Sequence, residues 1–201
     1  MAIKTANNQS MTAITSLPSG VSAKSMVLLA TETASSSATI SFTSNIDSTY
    51  KEYIFKFYDI HPATDQTFLT FQADTGTNTS YNQTITSTFF AAYHGEDGTG
   101  AALAYADSYD QAQATGFQNI TDRTGTDNDQ TVAGTLHLFD PSSSTFVKNF
   151  TAVSNCNEQS NYSSQVFAAG YFNTTTALTR VQFKMSSGNI DAGVIKMYGV
   201  S

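Results

Sequence analysis

Between residues 50 and 74 apolar and polar positions alternate, stop at a proline, and alternate again. Tyr53, Phe55 and Phe57 share one face, with Lys51 in phase, while Ile54, Lys56 and Tyr58 share the other. A period of two, rich in aromatic residues, predicts a strand. Pro62 has no N–H to give to a ladder, so residues 61–65 are expected to turn. Leu69, Phe71 and Ala73 then fall in phase again. The stretch 50–74 is therefore expected to be a hairpin at the centre of the fold.

The same period recurs along the chain. Residues 25–32 predict a first buried strand and 38–43 a second, with 33–37 as the connection. Residues 83–93 place Ile85 and Phe89 on one face and Phe90 on the other. Later strands are expected at 130–140, closed by Asp140-Pro141, and at 145–153, with Phe146, Lys148 and Phe150 in phase. Residues 162–172 form another, then 179–185, with Val181, Phe183 and Met185 inward, and 190–200. The weakest pattern lies between 94 and 129. Residues 101–115 suit a short helical turn or two, which Ala and Gln favour, and a long strand-flanking loop equally. Residues 117–120 suit a short edge strand, and 122–129 a turn-rich loop. About ten strands at near-regular spacing, mostly meander-like, predict an all-β fold. The expectation is an antiparallel two-sheet sandwich, jelly-roll-like, spanning 25–201.

Residues 1–24 hold no sustained period. Ile3, Met11, Ile14 and Leu17 are scattered through Ser, Thr and Asn, and Pro18-Ser19-Gly20 marks a turn. An extended N-terminal arm is expected, with those four apolar residues contacting a neighbouring subunit or the assembly that carries the domain.

Composition narrows the function. Charged residues make up 12% of the chain, about half the usual ~25%, and Ser, Thr, Asn and Gln supply the polarity instead. The formal net charge is −7, and the nine basic residues form no cluster. Phosphate contacts need clustered Lys and Arg, so no nucleic-acid binding is expected. Attraction to an anionic membrane surface fails for the same reason, and no apolar run approaches the ~20 residues of a membrane span. Cys156 is the sole cysteine, which rules out an intramolecular disulfide. With nothing basic beside it, Cys156 is expected to be a small buried apolar residue.

No catalytic constellation or cofactor motif emerges. His61, His94 and His137 lack a second ligand at zinc spacing, and His137, between Leu136 and Leu138, is expected to face outward. His94-Gly95-Glu96-Asp97 offers acid and base in one loop, but general acid–base catalysis needs groups converging in a cleft. Asp122, Asp127 and Asp129 cluster around Gly125 and form a weak calcium candidate that lacks the EF-hand spacing. Tyr81, Tyr105, Tyr109 and Tyr162 lie near expected loops. Exposed there, they suit a protein interface more than a sugar platform. A non-enzymatic role is expected.

Several segments together resemble a group of proteins from tailed phages of marine bacteria: YIFKFYDIHPATD, FQADTG followed by YN, TGFQNI, GTLHLFDPSSSTFVKNF and SSGNIDAGVIKMYGV. The resemblance spans about residues 26–201. Its most specific parts are HPATD at 61–65, LHLFDPSS at 136–143 and the SGNID-x-G-x-I-K-x-YG terminus. Such proteins are mostly uncharacterised or virion structural components. The resemblance thus implies a particle protein, assembled in the host cytoplasm, whose partners are other virion proteins and copies of itself. A capsid decoration protein is preferred to a tail module, since 201 residues leave no room for a fibre shaft. The alternative is a module of a tail fibre or tail tip that binds a host-surface glycan.

Overall fold

The computed structural model describes residues 26–200; the expected arm at 1–24 lies outside them. The described chain is all-β. Its strands are β1 (Met26–Ser37), β2 (Ile40–Phe42), β3 (Glu52–Pro62), β4 (Leu69–Thr75), β5 (Ile85–Gly95), β6 (Ala101–Tyr105) and β7 (Ala112–Ala114). They continue as β8 (Gln118–Asn119), β9 (Val132–Phe139), β10 (Lys148–Glu158), β11 (Tyr162–Phe172), β12 (Leu178–Met185) and β13 (Ile190–Val200).

Two antiparallel sheets face each other. The larger has nine strands in the order β1-β13-β3-β9-β10-β11-β5-β6, with β7 also on β5; the smaller runs β2-β12-β4-β8. The segment β1-β13-β3-β9 lying over β2-β12-β4-β8 is the strand order of a jelly roll, as the period-two pattern led one to expect. To it the chain adds two insertions. β5, β6 and β7 come between β4 and β8, and β10 and β11 follow β9. All five extend the same edge of the large sheet, so that sheet is far wider than its partner.

The core follows the predicted alternation. Tyr53, Phe55 and Phe57 of β3 are buried, as are Val181, Phe183 and Met185 of β12. Phe183 meets Phe42 and Phe57 edge-on at 6.2 and 5.4 Å between centroids, and Phe55 at a tilt at 5.4 Å. Phe71 meets Phe150 and Phe172 in the same edge-to-face manner, at 4.9 and 5.9 Å. Such contacts add about 0.5–1.5 kcal/mol each beyond area burial.

Four expectations change. First, 50–74 is not a hairpin: β3 pairs with β13 and β9, while β4 pairs with β12 and β8. Pro62 ends β3 opposite Ile190, and the chain then crosses from one sheet to the other. Second, β1 is an edge strand with Met26 and Leu28 exposed, and it runs on through residues 33–37. An apolar run alone does not distinguish a central strand from an edge.

Third, β4 is buried on both faces. Its polar face lies under loops that it holds by hydrogen bonds. The Asp74 carboxylate accepts from the N–H of Thr75 and of Tyr81 and from the Gln83 amide, at 2.8–2.9 Å. Gln72 Nε2 donates to the carbonyls of Gln83 and Gly116. Fourth, 101–115 holds two strands and no helix. Its loops are tied down by buried amides: Gln118 Nε2 donates to the Tyr109 carbonyl at 3.1 Å, and its Oε1 accepts from Ser87. Tertiary hydrogen bonds of this kind override a small helix propensity.

Candidate functional site

Inward-facing positions of the large sheet continue past the smaller sheet. Tyr93, Ser164 and Cys156 are direct neighbours across β5, β11 and β10. One step further out, Gly95, Tyr162 and Glu158 form a second row. Both rows share the face that buries Phe89, Ala168 and Ala152 deeper in the core. Instead of the second sheet, residues 121–124 lie over them, held by isolated bridges from Thr124 to Thr67 and to Glu158.

The result is a cleft of about 290 Å³ lined by Tyr93, Asp122, Arg123, Glu158, Ser160, Tyr162 and Ser164. A second cleft, bounded by Glu96, Asp97 and Asn161, shares Ser160 and Tyr162 with the first. The Tyr93 and Tyr162 rings meet edge-on with centroids 5.8 Å apart. Gly100, at φ +64°, lets the β5–β6 turn close over Tyr162, whose hydroxyl would lie 2.8 Å from any Cβ there. The polar groups are fixed by one another. Asp122 Oδ2 accepts from the Ser164 hydroxyl at 2.9 Å, and Oδ1 from the Arg123 N–H at 2.8 Å. Arg123 Nη2 lies 3.6 Å from Glu158 Oε1, and Glu158 Oε2 accepts from the Ser160 N–H at 3.1 Å. Each of these carboxylate oxygens thus has a partner inside the site.

The aspartates proposed for calcium separate. Asp122 points into the cleft, while Asp127 and Asp129 are exposed on a turn closed through Gln130. Among the described residues no group of three or more His, Cys, Asp or Glu is placed to hold a metal ion. The calcium candidate gains no support from this arrangement, in which the Ser164 hydroxyl and the Arg123 N–H take the Asp122 oxygens.

His94 and Asp97 do not form an acid–base pair. Thr99 donates to Asp97 Oδ1 through its hydroxyl and its N–H, at 2.7 and 2.8 Å, which holds that carboxyl below the usual range. His137 faces outward as expected, with Nδ1 2.6 Å from Glu52 Oε1. His61 lies 3.9 Å from Asp191. Of the tyrosines, Tyr105 is exposed, Tyr109 and Tyr162 are half-buried, and Tyr81 is buried, its N–H held by Asp74. Tyr93 was missed because its period-two phase marks it as core. Only the unequal width of the two sheets leaves it open. Arg123 and Glu158 carried no sequence signal beyond their charge. Ile3, Met11, Ile14 and Leu17 lie outside the described residues.

A second surface lies on the outer face of the large sheet. Tyr105 of β6, Phe90 of β5, Phe167 of β11 and Val153 of β10 are successive cross-strand neighbours pointing outward. Phe90 and Phe167 stack at 5.0 Å. At ~4.8 Å per strand the row spans roughly 14 Å. Leu103, 72% exposed, extends it along β6. β6 is Ala-Ala-Leu-Ala-Tyr, uncharged, and ends the sheet path. Elsewhere on this face aromatic rings carry cations: Lys56 lies over Tyr198 at 5.7 Å and Lys196 over Tyr58 at 5.5 Å.

Comparison with protein-family models, with curated proteins and with solved structures found no match.

Proposed function

We propose that this protein is a structural component of a tailed-phage particle, a decoration protein of the capsid in preference to a tail module, which acts through contacts with copies of itself and other virion proteins. The observation that carries the assembly part is the apolar row on the outer face, continuous with the edge of β6, which pairs with no further strand among the described residues. Natural sheets protect such edges with charge, proline, bulges or cover, and β6 has no charge and no proline. The occupant that fits is a second copy of β6, paired antiparallel about a two-fold axis. An uncharged strand meets itself without like-charge cost, and an isologous contact needs only one surface. The virion part rests on the resemblance of residues 26–201. The arm at 1–24 is assigned to attachment on the particle.

Light scattering after size exclusion tests the edge. The full chain is expected to elute as a dimer or larger assembly, and Leu103→Lys as a monomer with an unchanged melting temperature. A monomeric parent chain would refute the pairing. Copies per purified particle test location: hundreds mean capsid, and a few multiples of three or six mean tail.

A further inference from the structure

We propose that the cleft at the uncovered end of the large sheet is a binding site for a neutral saccharide. The two rows of inward-facing positions give it a floor with the chemistry a sugar presents. A pyranose has an apolar C–H face and a rim of hydroxyls that both donate and accept. Tyr93 and Tyr162 offer ring surface, and their T-shaped arrangement turns the two rings at 73° to each other. One ring can lie under a sugar while the other walls it. Around them stand acceptors and a donor brought together from the 121–124 segment, β10 and β11. The Asp122 and Glu158 carboxylates accept, as does the Ser164 oxygen, whose hydrogen is given to Asp122, and the Arg123 guanidinium donates. Their mutual hydrogen bonds hold this set in place before any ligand arrives, which lowers the ordering cost of binding.

Charge and size select the ligand class. Asp122, Glu158, Glu96 and Asp97 line the two clefts, and Arg123 is the one basic residue in either lining. The field is negative, so phosphate, sulfate and uronic acids are disfavoured. A greasy ligand would strand those polar groups. At about 290 Å³ the inner cleft sits near the lower end of the ~300–1,000 Å³ typical of ligand sites. The second cleft shares Ser160 and Tyr162 with it, so a further sugar unit would have a polar surface beside the first. The site lies on the inner side of the large sheet and the self-pairing row on its outer side, so the two roles are physically separate.

The test uses the full chain on an array of neutral and acidic oligosaccharides, followed by calorimetric titration with a neutral oligosaccharide from the array. Binding to neutral glycans is expected. Tyr93→Ala and Asp122→Asn should each weaken it by about tenfold with the melting temperature held. Leu103→Lys should keep the affinity for the free oligosaccharide, because it disturbs only assembly. Failure to bind any neutral glycan, binding confined to acidic glycans, or affinity indifferent to both cleft variants would overturn the proposal. A parent chain that is monomeric yet binds sugar would refute the edge pairing and leave the cleft intact.

Discussion

At the scale of single residues, two buried side chains show how burial changes chemistry. Lys148, in phase with Phe150, is fully buried where a lysine is seldom found. Its Nζ donates to the carbonyls of Phe146 and Thr174 at 3.0 and 3.1 Å, and desolvation holds its pKa below the ordinary lysine value. Phe146, expected in the same strand and in phase with it, lies before β10 begins and is 70% exposed. Cys156 is buried as expected, and its thiol is pushed up to about 12, first by desolvation and then by Asp122. Because its folded pKa is raised, the thiol's contribution is fully present below the unfolded value near ~8.5. It is lost as pH climbs from there toward the folded value, at up to ~1.4 kcal/mol per pH unit. Urea denaturation of the parent and of Cys156→Ala at pH 8, 9 and 10 should show the parent losing its advantage step by step. A constant difference across that range would sink this account. A thiol reagent at pH 8 should label Cys156 only in denaturant.

At the scale of elements, the fold is controlled where strands bend or end. The β3–β9 ladder shifts register between Phe57 and Ile60, and the β3–β13 ladder between Ala192 and Val194. Asp59 stands there at φ +48° and Gly193 at φ +118°. A Cβ on Gly193 would lie 2.6 Å from the Asp59 carbonyl oxygen. Gly193→Ala is therefore expected to lower stability by about 1–3 kcal/mol through backbone strain, and more if the bulge cannot move. Thermal unfolding measures it, and a change within ~0.5 kcal/mol would show that the bulge relaxes freely. The segment 101–120 is controlled differently, by Gln72 and Gln118 reaching its carbonyls from below. At 101–115 its local sequence leaves a helical turn and a loop even, and two strands form instead; at 117–120 the expected short strand forms as β8.

At the scale of the whole molecule, the outer face carries cations over aromatic rings at β3 and β13 and a single apolar row that crosses β10, β11, β5 and β6. Two copies joined at β6 bring together bodies of formal net charge −7 each across an uncharged seam. Repulsion between them is long-ranged and screened by salt, whereas the contact itself is apolar. Self-association is thus expected to strengthen from ~20 mM to ~500 mM salt, where the Debye length falls well below the ~10 Å found at 0.1 M. Sedimentation equilibrium at the two salt concentrations measures it. Association that weakens with salt would point to an ionic interface elsewhere.

Alternation of side chains carried most of the architecture into the linear sequence. The inward faces of β3, β5 and β12 were legible because a strand buried on one side must place an apolar group at every second position. Strand partners were not legible, since period two says which face is buried and nothing about which strand lies alongside. Hence the stretch 50–74 reads as a hairpin although its two strands belong to opposite layers. The cleft was hidden for a related reason. Tyr93 has the phase of a core residue and Asp122 the look of a loop acid, and they meet because a nine-stranded layer overhangs a four-stranded one. How far one sheet outreaches another is set by long-range pairing, and no local pattern encodes it.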